Sequence, residues 1–238
     1  LNKSLLLRRV EFAPSERFDP ASWYLDVPAI AEIRSDGLVF DKPVTILVGE
    51  NGIGKSTLVE AIADSWMATM RGADRLWAPG GTSGDSDLGD HLRCDGVYPR
   101  PTNGGFLRAE AMNTLFERAD AMRVRETDQV WNNLSHGQSF LHYIADRPVG
   151  QGLWLLDEPE AALSFQSCLA LVGVLKDLAA EGSQVIMATH SPILAACPDA
   201  EILELTADGI EYREWAQLEM VGNWRRFLDA PEAYLRHL

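Results

Sequence analysis

Residues 49–56 read GENGIGKS, three glycines followed by a lysine and a serine, set between the apolar run VTILVG and a stretch of helical periodicity. That pattern suits a phosphate group. Glycines let the backbone turn tightly and aim its N–H groups at anionic oxygens. The helix that follows turns its positive end to the same place. Gly49, Glu50, Asn51, Gly52, Ile53, Gly54, Lys55, Ser56 and Thr57 are therefore candidate phosphate-binding residues. Lys55 is placed to reach the two outer phosphates, and the Ser56 hydroxyl to bind Mg²⁺.

A second group supplies acid–base chemistry. LWLLDEPE ends an uninterrupted apolar run in carboxylates, the pattern of a central strand covered on both faces. Asp157 stands where it can hold Mg²⁺ directly or through water. Glu158 follows as a candidate general base for an attacking water. His190 ends the next apolar run, in MATHSPIL. Neighbouring parallel strands bring their carboxyl ends to one sheet edge, where a histidine reaches the terminal phosphate or the water. The catalytic candidates are Glu158, His190 and Lys55, and the metal candidates are Ser56 and Asp157.

The elements that must position these residues are legible in outline. KSLLLRRVEF, GLVF (37–40) and VTILVG (44–49) predict three strands, and residues 54–71 a helix with Leu58, Ala61, Ile62, Trp66 and Met70 on one face. The interval 79–105 is rich in glycine and aspartate and predicts a long loop. GFLRAE (105–110) predicts a short strand leading into helix, with another helix from Ser135. ALSFQSCLALVGVLKDLAAEG predicts a helix closed by Gly182, and residues 184–190 the next buried strand. EILEL and GIEYREW predict a hairpin across Ala207-Asp208-Gly209, and Asp229 is the expected cap of a last helix with Pro231 in its first turn.

The 238 residues suffice for a sizeable core. With no repeat or low-complexity linker, the chain reads as one domain over 1–238, with a helical and loop insertion at roughly 72–150. A net charge of −14 argues against coating nucleic acid through bulk charge. The odd number of cysteines, Cys94, Cys168 and Cys197, without zinc spacing fits a reducing, cytoplasmic setting. The start at Leu1 lacks an apolar signal segment, and no apolar run is long enough to insert in a membrane.

In order, GENGIGKS, LSHGQ, LWLLDEP and THS resemble the ATP-binding-cassette ATPase superfamily over most of the chain. VTILVGENGIGKSTLVEAIA, LSHGQSFL, LLDEPEAALS and RRFLDAPEAYLRHL are most similar to small soluble ATPases grouped with the RecF-like and structural-maintenance ATPases. The resemblance implies an α/β P-loop NTPase fold: a mainly parallel central sheet flanked by helices, an N-terminal antiparallel β portion, and an insertion carrying LSHGQ. It implies ATP and Mg²⁺ as cofactors and an ATP-dependent head-to-tail homodimer. Ser135, Gly137 and Gln138 of one copy would cover the γ-phosphate held by the other. The expected use of that dimer is to drive an unidentified partner protein or a DNA transaction, the latter disfavoured by net charge. The alternatives are a transporter's nucleotide-binding subunit or an ATP-holding regulatory module.

The sequence departs from the superfamily at three places. His136 stands where the signature's first glycine would be, either as a tolerated first-turn residue or as a phosphate contact. The expected glutamine has no clear match. Glu110 is its positional candidate, with an exposed helix-start glutamate as the alternative. EAALS follows the carboxylates in place of a serine-alanine-leucine-aspartate turn. The resemblance also implies an adenine-stacking aromatic upstream, for which Trp23, Tyr24 and Phe40 are candidates.

Overall fold

The computed structural model describes residues 4–68, 86–101, 103–108, 141, 144 and 150–236. Glu110 and the whole LSHGQSF stretch, including Ser135, His136, Gly137 and Gln138, lie outside the described residues, as does Met70.

The apolar runs form strands: β1 (Leu7–Phe12), β2 (Leu38–Val39), β3 (Val44–Val48), β4 (Leu92–Gly96), β5 (Asn103–Arg108), β6 (Gly152–Asp157), β7 (Gln184–Ala188), β8 (Glu201–Thr206) and β9 (Gly209–Tyr212). Six of them make one sheet in the order β5-β6-β7-β3-β8-β9. It is parallel throughout except for the β8–β9 hairpin, which forms where the Asp208-Gly209 turn predicts it. β2, β1 and β4 make a second, antiparallel sheet.

The α-helices whose bounds fall among the described residues are α1 (Pro28–Asp36), α2 (Lys55–Ala68), α3 (Phe165–Ala180), α4 (Pro192–Ala195), α5 (Glu219–Asp229) and α6 (Pro231–Leu235). Strand side chains alternate between faces, and both faces of the large sheet are covered. Leu47, Leu155 and Ile186 pack with α1 through Ile30 and Ile33, with α2 through Leu58, Ile62 and Trp66, and with the small sheet through Leu7 and Val10. Ile46, Val48, Leu156 and Met187 pack on the opposite side with Leu171, Leu175, Leu178 and Val221. Fully buried parallel strands have to be apolar on both sides, which is why β3, β6 and β7 are such clean runs.

Two sequence expectations change, and one helix has no counterpart in the sequence reading. Asp229 is the last residue of α5 rather than a cap; Ala230 precedes α6 with no capping side chain. Proline at the start presets the helical φ, so α6 starts without a carboxylate cap. The glycine-rich interval contains a 3-10 turn, Leu88–His91, and strand β4, whose alternation buries Leu92 and Cys94. Finally, α1 is present without a strong apolar stripe, opened by Pro28 and closed by Gly37 at φ 72°.

Candidate functional site

The site lies at the carboxyl edge of the large sheet, where β3, β6 and β7 end side by side. β3 delivers the loop from Gly49, and α2 begins at Lys55, with Leu58 N–H donating to Gly54 O at 2.9 Å. All three loop glycines have positive φ. At two of them a side chain also has nowhere to go. A Cβ on Gly49 (φ 141°) would lie 2.5 Å from Leu205 O, and one on Gly54 (φ 99°) 2.6 Å from Val27 Cγ1.

Lys55 curls back into this loop. Its ammonium donates to Gly49 O at 3.0 Å and Glu50 O at 2.8 Å. Burial lowers its pKa from the ordinary value, against the opposing pull of Glu158, Asp157 and Glu160. Lysine and carboxylates therefore share one field, as the sequence predicts. Ser56 and Thr57 line a cleft of about 240 Å³ together with Asn51, Gly52, Glu158 and Trp23. Of the three aromatic candidates only Trp23 reaches this cleft, and its ring is 50% exposed. Tyr24 is 1% exposed with its hydroxyl donating to Asp87, and Phe40 is fully buried, so both belong to the core.

On the carboxylate side, Asp157 is the last residue of β6, paired with Ala188 on β7. Its side chain is 4% exposed and its Oδ1 has no hydrogen-bond partner among the described residues. A buried, unpartnered carboxylate oxygen beside a hydroxyl-bearing phosphate loop fits a hard divalent cation, which binds through one or two carboxylates plus substrate phosphates. Mg²⁺ therefore fits Asp157 and Ser56. Glu158 sits in a left-handed conformation, φ 48° and ψ 50°, with its N–H bonded to Ala188 O at 3.0 Å. Such a conformation is costly for a residue with a Cβ. Here it turns the Glu158 carboxylate out of the strand direction, and Pro159 opens the following 3-10 turn.

His190 follows β7 and meets Glu158, with Nε2 3.5 Å from Glu158 Oε1. The structure thus brings together Lys55, Asp157, Glu158 and His190 from three strand ends, as their order in the sequence predicts. It also brings in three residues that the motifs do not name. Glu160 accepts a hydrogen bond from the His190 backbone N–H and so fixes the strand exit. Arg108, last residue of β5 and paired in register with Asp157, donates from Nε to Asp157 Oδ2 at 2.9 Å and from a terminal nitrogen to Glu60 Oε2 at 3.1 Å. Burial works to lower the Arg108 pKa, but Glu60 and Asp157 outweigh it and the net direction is up. One signal was available in the sequence: GFLRAE closes an apolar strand on an arginine at the same sheet edge as Asp157.

Comparison with known proteins bears on this geometry. The family model described as "AAA domain, putative AbiEii toxin, Type IV TA system" matches residues 139–196, and a second "AAA domain" model matches 33–73. Between them these spans include Glu158, His190 and the phosphate loop. The chain is 31% identical over 187 residues to the cytochrome c biogenesis ATP-binding export protein CcmA of Gluconobacter oxydans, covering 71% of this chain and 82% of the relative. CcmA of Paracoccus denitrificans is 30% identical over 166 residues, covering 67% and 74%. The macrolide export ATP-binding/permease protein MacB of Psychrobacter cryohalolentis is 30% identical over 176 residues, covering 63% of this chain and 26% of that protein. Among solved structures, cbiO1 from Clostridium perfringens, part of the ABC transporter complex cbiONQ, superposes with TM-score 0.50 at 17% identity, covering 98% and 99%. An inward-facing putative metal-chelate type ABC transporter gives TM-score 0.51 at 16% identity, covering 94% and 88%. At those identities the structural likeness speaks for the fold.

Proposed function

The chain belongs to the ATP-binding-cassette ATPase superfamily, and from that premise we propose that it couples Mg²⁺-dependent ATP hydrolysis to work on a partner protein. The observation that carries this reading is the meeting of Glu158 and His190 at 3.5 Å beside the Lys55 loop. Gly49 to Thr57 cradle the phosphates, and Lys55 exchanges its two carbonyl partners for phosphate oxygens. Trp23 offers its exposed face to the base. Mg²⁺, when bound by Ser56 and Asp157, neutralises charge on the two outer phosphates. The Glu158 carboxylate accepts the proton of the attacking water, and the His190 imidazole contacts that water or the γ-phosphate.

The link to mechanical work is a head-to-tail dimer. In it, Ser135, Gly137 and Gln138 of one copy close over the ATP of the other, and loss of the γ-phosphate releases them. ATP then differs from ADP in its affinity for the closed state, which is what shifts such an equilibrium. Glu158→Gln keeps the hydrogen-bonding shape but removes the base. Turnover should fall by about 10²–10⁴-fold, ATP should remain bound, and a dimer should accumulate in light scattering. Normal turnover from a monomer would sink both the base and the switch.

One observation favours a specific form of partner. The relatives aligned over most of their length are export ATP-binding proteins. In that second reading the partner is a separate membrane-embedded permease. Among the described residues no helix of this chain is long and apolar enough to cross a membrane. Detergent-solubilised Glu158→Gln complexes that retain an integral membrane protein in ATP and lose it in ADP favour the export form. A stable non-membrane partner favours the other. A DNA transaction has the net charge of −14 against it.

A further inference from the structure

Arg108 is wired into the metal-binding side of the site. Its planar guanidinium spans two carboxylates that belong to different elements, Asp157 on β6 and Glu60 on α2. The ring of Phe106, two residues earlier on β5, lies 5.6 Å below the guanidinium, close enough to help hold a cation there. Asp157 is almost wholly buried and Glu60 is 17% exposed, so neither carboxylate would stand uncompensated at low cost. The engagement is one-sided. Asp157 gives Oδ2 to Arg108 and leaves Oδ1 without a partner among the described residues.

We propose that Arg108 is a resident cation of the nucleotide site: it fills the gap between Asp157 and Glu60 and keeps free divalent metal out, so that metal enters only together with nucleotide phosphates. This rests on the reading that Asp157 holds Mg²⁺. Two carboxylates facing one gap are a hard-oxygen donor set of the kind that Mg²⁺ and Mn²⁺ prefer. A guanidinium in that gap cancels one of their two negative charges and repels a second cation at short range. Metal carried by ATP arrives with compensating negative charge and needs only the open Oδ1. The arrangement also fixes Asp157 in one orientation, because a forked donor holds both the carboxylate and the α2 glutamate against rotation.

The test uses the full chain, Mn²⁺ as the probe, and no nucleotide, with binding followed by electron paramagnetic resonance of free Mn²⁺ and by melting temperature. Arg108→Gln should bind Mn²⁺ at least about tenfold more tightly than the native chain, and its melting temperature should climb with Mn²⁺ where the native one does not. The double variant Arg108→Gln/Glu60→Gln should lose that gain. Arg108→Lys, whose single ammonium reaches one carboxylate, should lie between native and Arg108→Gln, and it serves as the reporter if Arg108→Gln fails to fold. A loosened fold weakens metal binding, so a gain reads charge in the gap. Folded Arg108→Gln or Arg108→Lys with native Mn²⁺ affinity would overturn the proposal. Asp157→Asn titrated with Mn²⁺ in the presence of ATP tests the underlying metal reading separately. If that variant binds Mn·ATP like the native chain, Asp157 is not the metal ligand, whatever Arg108 does.

Discussion

The phosphate loop and the carboxylate edge face each other across one cleft, yet they are held by different means. Between Gly49 and Ser56 the shape is made by backbone: three glycines at positive φ, a helix start, and a lysine bonded to carbonyls five and six residues before it. Across the cleft the shape is made by side chains that arrive from remote parts of the chain. Asp157 is held by an arginine 49 residues away, which also binds a glutamate 48 residues from itself, and His190 by a glutamate 30 residues away. A backbone-built site fails when a Cβ is added, whereas a side-chain-built site fails when a charge is removed.

The largest effect should come from breaking the backbone half. Gly49→Ala demands φ 141° of a residue with a Cβ and drives that atom to 2.5 Å from Leu205 O. The loop has to move away from β8, and ATP affinity should fall by about a hundredfold. Gly52 is the internal control. It also has positive φ, at 79°, but nothing within 4 Å of its added Cβ. Gly52→Ala should therefore cost only backbone strain, and ATP titrations should rank it well above Gly49→Ala. Equal losses would show that steric contact with Leu205 is irrelevant.

Trp23 tests whether the phosphate side is truly self-sufficient. It comes from a 3-10 turn, Trp23–Asp26, rather than from the loop, and is exposed at the cleft. Trp23→Ala should weaken ATP by about tenfold, the usual scale for base–aromatic stacking. Inorganic triphosphate, which has no base, should bind Trp23→Ala and native chain alike. Unchanged ATP affinity would remove Trp23 from the site.

The same contrast explains what the sequence discloses. Much of what is local was legible: GENGIGKS, the apolar runs of β3, β6 and β7, the hairpin at Asp208-Gly209, and the Asp157-Glu158 pair closing one such run. These depend on residues within a few positions of each other. Arg108, Glu60 and Glu160 were not legible as site residues, because an arginine closing a strand and a glutamate on a helix have ordinary surface roles until strand order is known. β5 lies beside β6 although about 44 residues separate them in sequence. Strand β4 was hidden by the glycines around it, its alternation being only Leu92 and Cys94. Trp23 was one of three aromatics until burial separated it from Tyr24 and Phe40.

The smallest effect concerns α2, which carries both kinds of carboxylate one turn apart. Glu60 has Arg108 as its counterion. Asp64, four residues on, has none among the described residues, where its Oδ1 is also buried and unpartnered. Burial, then the charges of Glu60 and Asp90, push its carboxyl up from 3.8 to about 6. The folded state therefore holds a proton that the unfolded chain releases near pH 3.8. Its contribution to stability is whole below that pH and is lost as pH rises through about 6. Asp64→Asn mimics the protonated form and should melt like the native chain at low pH. Above neutrality it should melt higher by about 2 °C, a modest figure because Asp64 is partly exposed. A melting difference that does not change with pH would mean that Asp64 is compensated in the folded state as Glu60 is, and the contrast within α2 would disappear.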